Sequence, residues 1–221
     1  MLLNLGWSVC PIQLVVNTPS SPREQDSSEP LSSSPRFLIR SVEPQDLSEI
    51  AGILAESFHL QPEFMRWLIP IMRVGIYEDL RNRLKTAPSH YVCLVAVDSG
   101  VLVGTVEIGL RSFNPWQPRT SQYAYLSNLA VKLECRRKGA AMQLLEACDR
   151  VVLAWGFEDI YLHVLENNHS AEQLYAKSGY RLRDTDAGLT TWLLGQPRRL
   201  FLHKPLEPIR RVNASTDSQL S

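Results

Sequence analysis

No charge prevails in this sequence: 23 Lys and Arg stand against 23 Asp and Glu over 221 residues. Without net positive charge the chain lacks the electrostatic grip on which nucleic-acid binding depends, so no nucleic-acid partner is expected. No run of about 18 apolar residues occurs, so no membrane span is expected either. Cysteine is scarce, with four residues at 10, 93, 135 and 148. None forms a CxxC pair and no Cys/His set has zinc spacing, so no metal site is expected. Cys93 lies in an apolar run and Cys148 on a helical stripe, which reads as buried free thiols in a reducing compartment. Two phosphate-loop patterns are also missing, GxGxxG and GxxxxGK[ST].

The ends read differently from the body. Residues 1–16 are moderately apolar but lack the basic segment and cleavage site of a secretory signal. Residues 17–36 (NTPSSPREQDSSEPLSSSPR) are rich in Ser and Pro and show no apolar period. Such a stretch cannot bury enough surface to offset its chain entropy, so 1–36 is expected to be a disordered leader. It carries Glu24, Asp26 and Glu29, whereas transit peptides are Arg-rich and acid-poor. The cytoplasm is therefore the expected location, with an organelle as the alternative. The tail 208–221 also reads as disordered, leaving 37–207 as one domain with a full core.

Within the body, 37–42 reads as a strand, and Glu43-Pro44 opens a helix striped by Leu47, Ile50, Ala51, Leu54 and Phe58. Residues 62–85 read as helical, with Pro70 and Gly75 expected to break or bend them. Strands at 91–97 and 101–110 meet at Asp98-Ser99-Gly100, a hairpin signal. Another strand covers 123–131. Residues 137–155 read as a helix whose Ala141, Leu144, Leu145, Cys148, Val152 and Trp155 share a face, stopped by Gly156. A strand at 160–165, a helix at 171–178 and strands at 180–183 and 200–203 complete the order. Hairpins mixed with crossover helices imply an α/β protein with a mixed sheet.

The turn between the 123–131 strand and the long helix is Arg136-Arg137-Lys138-Gly139-Ala140-Ala141. A helix N-terminus presents unpaired N–H groups and the positive end of the macrodipole. Gly139 removes a side chain where a ligand must approach and Ala141 keeps the wall low, while three cations add charge. A pyrophosphate fits such a turn. About 30 residues later comes HVLENNHSAEQLYAKSGYRL.

Together these segments resemble the GNAT superfamily of acetyl-CoA-dependent N-acetyltransferases. The shared pattern is a basic turn of the form Q/R-x-x-G-x-G/A, followed by N-x-x-A-x-x-L-Y-x-x-x-G-F/Y. This chain supplies Arg136, Gly139 and Ala141, then Asn168, Ala171, Leu174, Tyr175, Gly179 and Tyr180. The resemblance implies a mixed, V-shaped central sheet of about six to seven strands with helices on both faces. Acetyl-CoA is the implied donor. Backbone amides of Arg137, Lys138, Gly139, Ala140 and Ala141 would hold its pyrophosphate beside Arg136. The strand end, Leu129, Ala130 and Val131, would pair with pantetheine, Asn168 would bond the same arm, and Tyr175 would protonate the departing thiolate. The segment KLECRRKG lacks the Pro-x-Tyr/Phe common before this turn.

Two more positions resemble the N-terminal acetyltransferase branch, which includes the ribosomal-protein-alanine enzymes. Tyr125 lies eleven residues before Arg136 and His163 five before Asn168. In that branch such a pair deprotonates the amine through water. Strand alternation places Tyr161, His163 and Leu165 on one face. Free imidazole titrates near 6.5, a peptide α-ammonium near 8 and a lysine ammonium near 10.4. The α-amine is the easier partner by roughly 2.4 units, about 3 kcal/mol. Glu107, a charge within an apolar strand, is a second candidate base and must be paired or in a cleft. The run YLSNLAV…WGFEDIYLHVLENN resembles cyanobacterial and plastid members, which acetylate protein N-termini, lysines or both. The implied partners are therefore protein or peptide N-termini and lysines, with the plastid stroma as the alternative location. A small-molecule amine transferase and a catalytically weak CoA-binding sensor remain open. No nucleophile is expected, since Cys135 lacks an activating base.

Overall fold

Alternating and apolar strands build outward from one hairpin. Strand β2 (Tyr91–Asp98) turns into β3 (Val101–Ser112) through Ser99 and Gly100, both with positive φ. That geometry belongs to a two-residue turn whose twist matches the strands. Strand β1 (Leu38–Ser41) pairs with β2, and β4 (Gln122–Val131) with β3. Strands β5 (Asp159–Leu165), β6 (Arg181–Asp186) and β7 (Arg199–Pro205) complete a seven-stranded sheet ordered β1-β2-β3-β4-β5-β7-β6. The computed structural model describes residues 36–57, 69–86, 88–112, 122–186 and 197–207. The chain divides into residues 1–36 and 37–221, and the whole sheet with its helices belongs to the second part. Except for Arg36, the expected leader lies outside the described residues, as do the tail 208–221 and Phe58.

All neighbouring strands are antiparallel except β4 and β5. Those two are parallel and register only at Ala124 with Ile160 and Tyr125 with Tyr161. Beyond that point β4 continues to Val131 and β5 to Leu165 without pairing to each other. The expected V-shaped sheet is present, and its opening begins at Tyr125.

Helices cover both faces. A 3₁₀ turn at Pro44–Asp46 leads into α1 (Leu47–Ser57), and α2 (Ile69–Lys85) follows. Leu47, Ile50, Leu54 and Leu80 from this pair pack on Cys93, Val95 and Ala130. On the other face, α3 (Ala140–Ala154) sets Leu144, Leu145, Cys148 and Val152 against Val106, Ile108, Leu126 and Ile160. Helix α4 (His169–Lys177) adds Tyr175 to that core. Burial pushes the Cys93 thiol up to about 12 and the Cys148 thiol well above its ordinary value, so neither serves as a nucleophile. Among the described residues no helix is long and apolar enough to cross a membrane. No group of three or more His, Cys, Asp or Glu among them could hold a metal.

Several sequence expectations shift. Residues 62–68 of the expected helix lie outside the described residues; Pro70 sits in the first turn of α2, which begins at Ile69, and Gly75 lies inside the helix without ending it. Pro is tolerated there because the first turn has no N–H acceptor to lose. Pro44 opens a 3₁₀ turn rather than α1 itself. Helix α3 starts at Ala140, not 137, because Arg137 and Gly139 hold φ of 62° and 97°. Gly104 has a packing reason: a Cβ there would meet the Ala130 carbonyl oxygen at 3.0 Å and Val131 at 3.1 Å.

Asp46 ties β1 to α1. It accepts two hydrogen bonds from Arg40, at 2.6 and 2.9 Å, and one from the Glu43 backbone at 2.7 Å. The Arg40 bonds hold its carboxyl below the ordinary carboxylate value. A depressed folded pKa stabilises above the unfolded value and loses that contribution as pH falls through the folded one. Asp46→Ala is expected to lower the unfolding free energy by about 2 kcal/mol at pH 7. In urea titrations, the gap from the parent protein should shrink as pH is lowered below the ordinary carboxylate range.

Candidate active site

One irregularity in β4 arranges the cleft beside the V. Glu107 pairs with Ser127, but Thr105, two residues earlier on β3, pairs with Ala130, three residues later on β4. The extra residue is a bulge at Asn128, whose φ of 53° is tolerated by Asn better than by most residues. The bulge turns the Asn128 amide toward Glu107, with Nδ2 donating to Oε1 at 2.6 Å. Tyr91 Oη donates to Oε2 at 2.7 Å and Arg83 Nη1 at 3.0 Å. Glu107 is 1% exposed, so these three donors are what makes a buried carboxylate tolerable. Burial, then the Glu107 charge, push the Tyr91 phenol up, so it stays a donor. The second candidate base is therefore both paired and in a cleft. That cleft, about 220 Å³, is lined by Arg83, Tyr91, Glu107, Arg111, Tyr125 and Ser127.

The structure brings Tyr125 and His163 together. Tyr125 stands beside Tyr161 in the β4–β5 register, and His163 is two residues on, on the same face. The Tyr125 hydroxyl lies 2.9 Å from His163 Nδ1. His163 stacks on Phe201 at 4.6 Å, and Tyr161 stacks on Phe201 and His203. The Arg111 guanidinium lies over the Tyr125 ring, 3.5 Å from its centroid. Tyr161 and His163 share a face as expected, while Leu165 is 38% exposed at the strand end.

At the wide end of the V, β4 runs through a 3₁₀ turn at Leu133–Cys135 into the basic turn. Gln143 makes the first backbone bond back into the turn, to the Gly139 carbonyl at 3.1 Å, so the amides of Ala140, Ala141 and Met142 precede it. Nothing within 4 Å would meet a Cβ on Gly139, so its backbone conformation, not crowding within the chain, requires glycine. Arg136, Arg137 and Lys138 are all exposed, and Arg136 donates Nε to the Val131 carbonyl at 3.0 Å. Arg136 thus braces the strand end. Val131 packs with the α3 core and Ala130 with the α1–α2 core, while Leu129 is half-buried against the α3 core.

Asn168 caps α4, its Oδ1 accepting from the Ala171 amide at 3.2 Å. This explains the Asn-x-x-Ala spacing, and Nδ2 has no partner among the described residues. Tyr175 is 7% exposed, and burial pushes its phenol up, with Tyr125 near enough to add to the rise. Its hydroxyl makes no hydrogen bond among the described residues. Sequence reasoning missed Arg83, Tyr91, Asn128, Arg111 and Phe201. Asn128 alone carried a signal, an Asn inside a strand; the others converge from separate elements.

The acetyltransferase (GNAT) family profile matches residues 55–180. The chain is 30% identical over 172 residues to GCN5-related N-acetyltransferase 10, chloroplastic, of Arabidopsis thaliana, covering 72% of this chain and 67% of that protein. Matches to two related chloroplastic proteins of the same plant span 32% and 59% of their lengths. The fold aligns with PaiA N-acetyltransferase of Thermoplasma acidophilum, solved with coenzyme A, at TM-score 0.59 and 20% identity. That alignment covers 76% of this chain and 98% of the other. It also aligns with ribosomal-protein-alanine N-acetyltransferase of Brucella melitensis, at TM-score 0.59 and 19% identity, over 76% and 99%.

Removing the carboxylate at the centre of the cleft leaves Tyr91 and Asn128 with buried, unpaired donors. Glu107→Ala is expected to cost about 2 kcal/mol or more in unfolding free energy. Denaturant titration of the purified variant measures it, and a variant as stable as the parent would contradict the hydrogen-bonded cluster.

Proposed function

Since the chain belongs to the acetyltransferase (GNAT) family, we propose that it transfers an acetyl group from acetyl-CoA to protein N-terminal α-amines, and to lysine amines more slowly. The observation that carries this reading is the Tyr125–His163 pair, 2.9 Å apart, at the point where β4 and β5 part.

The residues present fit the donor. The α3 amides and the left-handed Gly139, open where a Cβ would stand, suit a pyrophosphate. Arg137 and Lys138 add charge beside it, and Arg136 fixes the strand end that leads there. The stretch of β4 beyond Tyr125, including Leu129, Ala130 and Val131, has no β5 partner and offers its backbone to an amide-bearing arm. Asn168 Nδ2 is a further donor to that arm. Acetyl-CoA supplies the acetyl thioester; everything else rests on the chain.

Attack requires a neutral amine. A proton leaving the ammonium, directly or through one water, is taken by the Tyr125 oxygen as the Tyr125 hydroxyl proton passes to His163 Nδ1. Stacking on Phe201 fixes the imidazole for that step. Tyr175 reaches the V from the α3–α4 side. Burial keeps its phenol protonated through the neutral range. Tyr175 is then the donor to the departing sulfur: its hydroxyl proton passes to the thiolate as the C–S bond breaks, and the proton released by the new amide nitrogen restores it. Glu107, held by three donors, shapes the acceptor cleft.

Lysine-free peptides with a free α-amine, tested against N-blocked peptides with one lysine, separate the two acceptors by CoA release. The first set is expected to turn over faster; turnover of the second set alone would overturn the α-amine reading. His163→Gln and Tyr125→Phe should each lower kcat about 100-fold. His163→Gln should also remove the acidic limb of the kcat–pH profile. Tyr175→Phe should lower kcat about tenfold or more with little change in CoA affinity. The chloroplastic relatives support the plastid stroma as the location.

A further inference from the structure

Among the described residues, the acceptor cleft holds one guanidinium without a carboxylate. Three ionised side chains line it: Arg83, Glu107 and Arg111. Arg83 is committed to Glu107 at 3.0 Å and to Asp79. Both Glu107 oxygens are occupied, Oε1 by Asn128 and Oε2 by Tyr91 and Arg83. Arg111 makes no ion pair among the described residues. It lies over the Tyr125 ring, which restrains the guanidinium through a cation–π contact.

Position makes this cation relevant to the acceptor. Arg111 and Glu107 point to the same side of β3, with Gly109 between them leaving the wall bare. The ring beneath Arg111 belongs to Tyr125, whose hydroxyl meets His163. A group bound by Arg111 therefore sits within one residue's reach of the place where the amine loses its proton. The cleft is smaller than the 300 Å³ or so of a typical drug-sized site, which suits one side chain. A planar guanidinium whose donors meet no carboxylate among the described residues matches a carboxylate in two-point geometry. A second ammonium on the acceptor would meet Arg83 and Arg111 and a carboxylate already filled with donors.

We propose that Arg111 recognises a carboxylate on the acceptor, so that the favoured substrates are peptide N-termini with Asp or Glu at the first or second residue. This rests on the acetyl-transfer reading above. It makes Arg111 a specificity residue that touches the acceptor's side chain rather than the reacting atoms. Dicationic acceptors such as polyamines are disfavoured by the same charges.

The test compares lysine-free peptides that differ only in having Asp, Asn or Lys at the first or second position, with free glutamate as a separate acceptor. The parent protein, Arg111→Gln, Arg111→Lys and Arg111→Glu are assayed by CoA release. The parent is expected to favour the Asp peptides over the Lys peptides about tenfold or more in kcat/KM, chiefly through KM. Arg111→Gln should erase that preference, Arg111→Lys should keep part of it, and Arg111→Glu should favour the Lys peptides. Turnover of free glutamate above that of any peptide would overturn the peptide N-terminus as the favoured acceptor. Equal turnover of Asp and Asn peptides by the parent, or a preference that survives Arg111→Gln, would overturn the role of Arg111 alone. Silence with every peptide and amino acid would overturn the acetyl-transfer reading together with it.

Discussion

The parallel pairing of β4 and β5 stops after two residue pairs, and the rest of the site depends on where it stops. Up to Tyr125 and Tyr161 the strands hold each other. Past them, two lengths of backbone run apart inside the sheet, each supported on its outer side by an antiparallel neighbour. Interior backbone without a ladder partner is costly unless something polar can reach it. On the proposed reading, the amide-rich arm of acetyl-CoA is what reaches it. The bulge at Asn128 lies within this stretch and changes which residues of β4 face each side.

The opening has two faces with different chemistry. One side carries Tyr125, His163 and the aromatic stack from Tyr161 to Phe201 and His203. The other carries α3 and α4, with the basic turn at one helix start and the Asn168 cap at the other. A direct transfer between two bound substrates suits this division, since each occupies its own face and they meet in the gap. Cys93 and Cys148 lack the setting of an activated nucleophile, being buried with thiols raised by burial.

Much of the fold was legible because its signals are local. The Ser99-Gly100 turn, the apolar stripe of α3 and the order of strands and helices each follow from residues close in sequence. The misplaced boundaries are local failures of another kind. Pro44 read as the start of α1 because a 3₁₀ turn and an α-helix share the same opening signals, yet it opens a 3₁₀ turn that precedes Leu47. Arg137 read as helical because nothing in an arginine announces a positive φ. Arg136 read as one of three cations beside a phosphate; its Nε bond to the Val131 carbonyl is a further contact, set by the path of the turn.

The sequence by itself determined the motif positions: Arg136, Gly139 and Ala141, then Asn168 and Tyr175 at fixed spacing. Spacing along a chain fixes which residues share a turn or a helix cap, as Asn168 and Ala171 do. Only the tertiary structure decided what stands across the cleft. Glu107 acquires its partners from α2, β2 and β4, and Arg111 meets Tyr125 across neighbouring strands. Those contacts depend on strand register and on a single inserted residue at Asn128. Register is a property of the paired sheet, set by packing between segments far apart in the chain, and no window of sequence contains it.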